Sequence, residues 1–225
     1  MWRNTMPVTF EDVRNSPEIR TYITQADASL ISRGFTEHSF AHVGRCAQVA
    51  ANILTKLGYD AREIELTQIA AYMHDIGNVV NRTDHAHTGA VMAFRILDKM
   101  GMPPVEVATV ITAIGNHDEH TAFPVNAVAA ALILADKTDV RRSRVRNQDF
   151  TKFDIHDRVN YAVEHSEVIL DPEEKSITLT LKINTEVCAV MDYFEIFLQR
   201  MLLCRKAAEF FSLTFRLEIN NQILL

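Results

Sequence analysis

The chain has 225 residues, 48% hydrophobic and 23% charged. That balance fits one globular domain, or one with a small appendage, and excludes wholesale disorder. A net charge of −6 argues against a nucleic-acid polymer or an anionic membrane surface as partner. Cys46, Cys188 and Cys204 make no CxxC pair, so neither a disulfide framework nor a cysteine-based zinc site is expected. The opening MWRNTMPVTFEDVRN lacks the apolar core of a signal peptide. The apolar run 127–135, AVAAALILA, is far shorter than the about 20 residues of a membrane span. A cytoplasmic protein is expected.

In chain order, residues 9–34 read as helical with breaks, capped at Thr9 and at Ser16 before Pro17, and stopped at Gly34. Thr36 caps a long helix to about Leu57, with Phe40, Val43, Ala47, Ala50, Ala51 and Leu54 at helical spacing. Further helices are predicted over 61–74, 86–100, 104–115 and 126–145, with loops at 78–84 and 116–124. NQDFTKFD is a polar connector. From 161 the pattern alternates: 166–170 and 176–183 read as a hairpin around Asp171-Pro172, 185–211 as a helix, and 213–219 as a last strand. The expected fold is mainly α, a helical bundle over 1–160 followed by a small α+β unit (β-β-α-β) over 161–225. The Met- and aromatic-rich helix of that unit is expected to pack on its sheet. The alternative is that it forms the surface of a homo-oligomer.

Nine histidines fall unevenly on these elements. His38 and His42 share one helix face. His74-Asp75 ends an apolar helix, His85 and His87 follow a short loop, and His117 and His120 follow a helix end. Asp136 and Asp139 sit in AALILADKTD, where a charge needs a partner to be desolvated. Imidazoles and carboxylates from several helix ends form a ligand set for a divalent metal, with Mn, Fe, Co, Ni, Zn or Mg as candidates. A second His-Asp pair, His156-Asp157, lies in a polar stretch and reads as a surface or interdomain pair.

The order His42, His74-Asp75, His85, His117, Asp136 resembles the HD-domain superfamily of metal-dependent phosphohydrolases, over about residues 36–146. AAYMHDIGN is similar to that family's HDIGK segment, and HAHTGA (85–90) to its HPEIGA segment. The resemblance implies an all-helical core in which His42, His74, Asp75 and Asp136 bind a first metal. In the two-metal branch His85 and His117 hold a second, with Asp75 bridging, and His38 is a weaker additional ligand. A one-metal site is the alternative. Asn78 stands where cyclic-dinucleotide phosphodiesterases carry Lys, and their glycine-tyrosine-proline run is missing, so that activity is not implied.

The run KTDVRRSRVR (137–146) holds five of the 23 basic residues. If the helix continues, Ser143 and Arg144 return to the Asp136 face, flanked by Lys137 and Arg141, and could bind a substrate phosphate. Solvated charges offsetting the helix dipole are the competing reading. Arg82 is a weaker phosphate candidate. Asp118, Glu119 or His120 could protonate a leaving group. The expected function is hydrolysis of a nucleotide or other small phosphoester, with Asp75 at the centre of the chemistry. The same ligand set also resembles that of di-iron oxygenases such as myo-inositol oxygenase. A non-catalytic metal- or nucleotide-binding regulator is the third reading.

Overall fold

The structure, a computed structural model, describes residues 7–147 and 149–224. Thr9 and Asp12 form a capping box that starts α1 (Phe10–Asn15). Ser16 caps α2 (Pro17–Ile31), whose first residue is the proline. Then come α3 (Phe40–Lys56), α4 (Ala61–Met73), α5 (His85–Met100), α6 (Pro104–Gly115) and α7 (Ala127–Lys137). All eleven residues of α7 are buried, so it forms the axis of the bundle. α3, α4 and α6 pack on it from the helical part and α9 from the C-terminal part.

After α8 (Ile155–Ala162) the chain forms β1 (Val163–Asp171), β2 (Ser176–Ile183), α9 (Val190–Phe210), β3 (Thr214–Ile219) and the short β4 (Gln222–Ile223). The sheet order is β1-β2-β3-β4. β1 and β2 form the antiparallel hairpin, and β3 runs parallel to β2. A parallel neighbour needs a crossover, which α9 supplies. α9 therefore packs between β3 and α7, and one continuous apolar core runs from the bundle into the sheet. Arg45 and Lys56 of α3 donate to the β1 carbonyls of Ser166 and Leu170, at 3.1 and 3.4 Å, tying the end strand to the bundle.

The mainly α fold with its α+β tail is as expected, with four local corrections. α3 starts at Ser39, not Thr36, because the Ser39 hydroxyl accepts from Ala41 N–H. The helix expected over 126–145 stops at Lys137. There Thr138 turns its hydroxyl back to the Leu134 carbonyl at 2.5 Å, and Arg141 is extended at φ −148°, ψ 143°. Tertiary contacts override propensity here, because Asp139, Arg141 and Arg144 are all engaged with one another. Residues 155–162 are helical, running into the strand pattern expected from 161, with Asp154 capping through Asp157 N–H. β4 had no signal in the sequence.

All three cysteines are free and buried. Burial, followed by Asp192, pushes the Cys188 thiol up to about 11, and burial pushes Cys204 higher still. Native protein is therefore expected to leave all three thiols unreacted with a disulfide reagent at pH 8. Three equivalents should titrate after denaturation. Rapid labelling of native protein would contradict this burial.

Candidate metal centre

Six side chains meet where α3, α4, α5, α6 and α7 converge. His42 lies on α3, His74 and Asp75 follow α4, His85 opens α5, His117 follows α6, and Asp136 is near the end of α7. All six are buried, the two aspartates at 5% and 9% exposure. His42 Nε2 is 3.6 Å from Asp75 and 3.4 Å from Asp136. His74 Nε2 is 3.2 Å from Asp75 and 3.8 Å from Asp136. His85 Nε2 is 3.5 Å from the other Asp75 oxygen and 3.2 Å from His117 Nε2. Asp75 thus stands between a His42–His74–Asp136 group and a His85–His117 group.

Every ring is fixed through its other nitrogen. His74 Nδ1 donates to the Ala71 carbonyl at 2.7 Å and His117 Nδ1 to that of Ile114 at 2.6 Å. His85 Nδ1 donates to the Arg82 carbonyl at 3.0 Å. His42 Nδ1 donates to the Asp139 carboxylate at 2.7 Å, and Arg45 and Arg141 hold that carboxylate in turn. Such partners set the tautomer and leave each Nε2 with a bare lone pair. The pattern fits a cation in two respects. The buried Nε2 of His74 has no hydrogen-bond partner. His85 and His117 also turn their Nε2 atoms toward each other, with only Arg82 Nη1, 3.3 Å from His85 Nε2, as a positive group beside them. Two nitrogens bound at about 2.1 Å to one ion stand about 3.0–3.4 Å apart, the spacing seen.

The electrostatics agree. Burial pushes the Asp75 carboxyl up, but His74, His38 and His85 outweigh it and hold Asp75 well below the usual range. Asp136 is likewise held down, chiefly by the Lys137 ammonium, against its burial. Burial, reinforced by His74 and Lys137, keeps the His117 ring neutral. Asn78 donates through Nδ2 to the Asp75 carboxylate at 2.8 Å and orients it.

A cavity of about 290 Å³ opens onto this cluster. Lys137 and Arg144 line it. Lys137 is 2.6 Å from Asp136 and 3.3 Å from Glu119, and Arg144 donates to the carbonyls of Glu37 and Asp139. Arg141 is turned onto Asp139 at 2.5 Å and does not line the cavity. Ser143 and Arg144 belong to a 3₁₀ turn over 142–144, so no helical face carries them back to Asp136. Glu119 sits between Lys137 and Arg200, the latter at 2.7 Å. Those two cations outweigh its burial and keep it ionised. Asp118 and His120 line a neighbouring outer groove instead. His38 lines the inner cavity, its Nδ1 donating to the Thr36 carbonyl at 2.7 Å.

The sequence reading missed Arg33, Phe35, Asn160, Phe197 and Arg200 in the cavity wall. His156 and Asp157, read as a surface or interdomain pair, line it too. It also assigned no role to Asp139, whose signal was its place one helical turn after Asp136 in an apolar run. Nothing local marks Arg200, which arrives from α9, more than 60 positions after Asp136.

The family model for the HD domain matches residues 39–145. These residues are an HD domain. That match runs from the α3 cap to just past Arg144 and includes all six clustered side chains. A relative, an uncharacterized protein of Methanocaldococcus jannaschii, is 24% identical over 204 residues, covering 79% of this chain and 76% of the relative. A solved structure of a predicted HD superfamily hydrolase from an uncultured Thermotogales bacterium is 28% identical. The match covers 55% of this chain and 67% of that one, with a TM-score of 0.45. HD domains bind divalent metals, and the buried His and Asp groups of this one could hold such an ion.

Proposed function

We propose that the protein is a metal-dependent phosphohydrolase acting on a nucleotide or another small phosphoester. The observation that carries this reading is the convergence of four Nε2 lone pairs on two ionised carboxylates, with each Nδ1 tied down from behind. His42, His74, Asp75 and Asp136 would hold one divalent ion, and Asp75, His85 and His117 a second. A divalent ion in such a set supplies a Lewis acid and lowers the pKa of its water to about 7.

The remaining roles belong to the chain's own residues. Lys137 and Arg144, in the cavity wall, bind the phosphate oxygens. Arg141 acts indirectly by fixing Asp139, which fixes His42. Glu119 stays charged and positions Lys137. The cavity, about 290 Å³, suits a small substrate, and its cationic wall favours phosphate over the oxygenase reading.

Metal analysis of the purified protein and a phosphoester panel test the proposal. The expected result is one or two divalent ions per chain and phosphate release that is abolished by a chelator and restored by a divalent salt. Two irons, oxygen consumption and no phosphate release from any ester would overturn it in favour of an oxygenase.

A further inference from the structure

The inner cavity does not end at a flat surface. It continues into an outer groove of about 570 Å³, lined by Thr83, His87, Asp118, His120 and Gln199 among others. Four residues, Phe35, Arg82, His156 and Arg200, line both spaces and so ring the neck between them. Two of the four are arginines from separate elements, Arg82 from the loop before α5 and Arg200 from α9. Their side chains are 23% and 27% exposed, so both are reachable yet partly desolvated.

Neither guanidinium is fully engaged: Arg82 uses Nη1 alone, toward Asn78 Oδ1 at 3.4 Å and His85 Nε2 at 3.3 Å. Its carboxylate neighbour is Asp75 at 3.9 Å, a proposed metal ligand whose charge an ion would take. Glu119 meets Arg200 through Nε and shares its charge with Lys137. Arg82 also lies over the Phe35 ring, at 5.9 Å, and Arg200 over Phe197, at 4.9 Å, which orients both planar forks. The inner end already has Lys137 and Arg144 for a phosphate at the metal cluster. A second cationic tier at the neck has no work to do for a simple monoester.

Building on the phosphohydrolase reading, we propose that the substrate carries a second anionic group, a phosphate or a carboxylate, clamped between Arg82 and Arg200 at the neck. The bulk between its two anionic groups spans the inner cavity, and anything beyond the second group extends into the outer groove. Arg82 and Arg200 are thereby specificity-determining residues. The C-terminal unit, through Arg200, takes part in substrate recognition.

Non-hydrolysable probes separate this from the hydrolase reading. Binding to the metal-supplemented protein is measured by calorimetry for propylphosphonate, for α,ω-alkane bisphosphonates with spacers of two to six carbons, and for the matching phosphonocarboxylates. At least one spacer should bind about tenfold more tightly than propylphosphonate, the size of one charge-assisted hydrogen-bonded pair. The Arg200→Gln and Arg82→Gln variants should each cut that advantage to about twofold or less, with circular dichroism and metal content as in the parent. The better of the two head groups identifies the second anion. Equal binding of mono- and dianionic probes at every spacer would overturn the proposal, as would an advantage that survives both substitutions together. A probe preference in a protein that hydrolyses no ester would leave the clamp standing and remove only the phosphohydrolase.

Discussion

Alanine at His74 is expected to abolish phosphate release and to strip the protein of bound metal while leaving it folded. His74 Nε2 is the one buried ring nitrogen of the cluster without a hydrogen-bond partner, so it contributes nothing to the fold that an ion would not use. The ring is fully buried, and its loss leaves a polar-walled gap that water can fill. Activity should fall by more than about 100-fold, beyond the usual cost of losing only a residue that orients a ligand. Asp139→Asn provides the graded comparison. It keeps the shape but weakens the acceptor that holds His42 Nδ1, and metal affinity should drop by about 10–100-fold. Metal content by mass spectrometry, with circular dichroism as the folding control, reads both. Full activity with unchanged metal in His74→Ala would remove the proposed centre.

Gly77→Ala should be among the most destabilising single methyl additions in the chain. Gly77 lies in the 3₁₀ turn Ile76–Val79, between Asp75 and the start of α5. A Cβ there would stand 2.6 Å from the Gly89 nitrogen and 2.9 Å from the His85 carbonyl carbon, with the His85 carbonyl oxygen nearer still. These are backbone atoms of α5, so no side-chain rotation relieves the overlap. The turn and the helix must separate instead. Overpacking of this kind costs about 3 kcal/mol or more, which for a chain of this length lowers Tm by roughly 6–12 °C. Because the same contact sets Asp75 against His85, metal affinity should fall with it. The denaturant midpoint should drop with an unchanged slope. A Tm within about 2 °C of the parent would show that the two backbones are not in contact.

The clustered side chains were legible in the sequence because each is a charged or polar residue at or near one end of an apolar-faced helix, His42 and His85 at starts and His74, Asp75, His117 and Asp136 at ends. α6, Pro104–Gly115, was legible for a related reason, with a proline at its first position and a glycine at its last. The basic run was harder to read. KTDVRRSRV has good helix formers, and only the three-dimensional pull of Asp139 on His42, Arg45 and Arg141 ends the helix at Lys137. Local pattern cannot express such a pull. The cavity wall from α8 and α9 was illegible for want of any spacing rule, since Phe197 and Arg200 reach the site only through the packing of α9 on α7.

α7 has no surface of its own, and this joins two properties usually considered apart. Asp136 rides on the same helix that α9 covers, so occupancy of the centre and the stability of the sheet unit are linked quantities. Linkage of this kind is reciprocal. An ion bound by the folded centre would stabilise the packed arrangement of α7, α9 and β3 by mass action. Removing the ion should therefore loosen not only the helical part but also the helix and strand packed on the far side of α7.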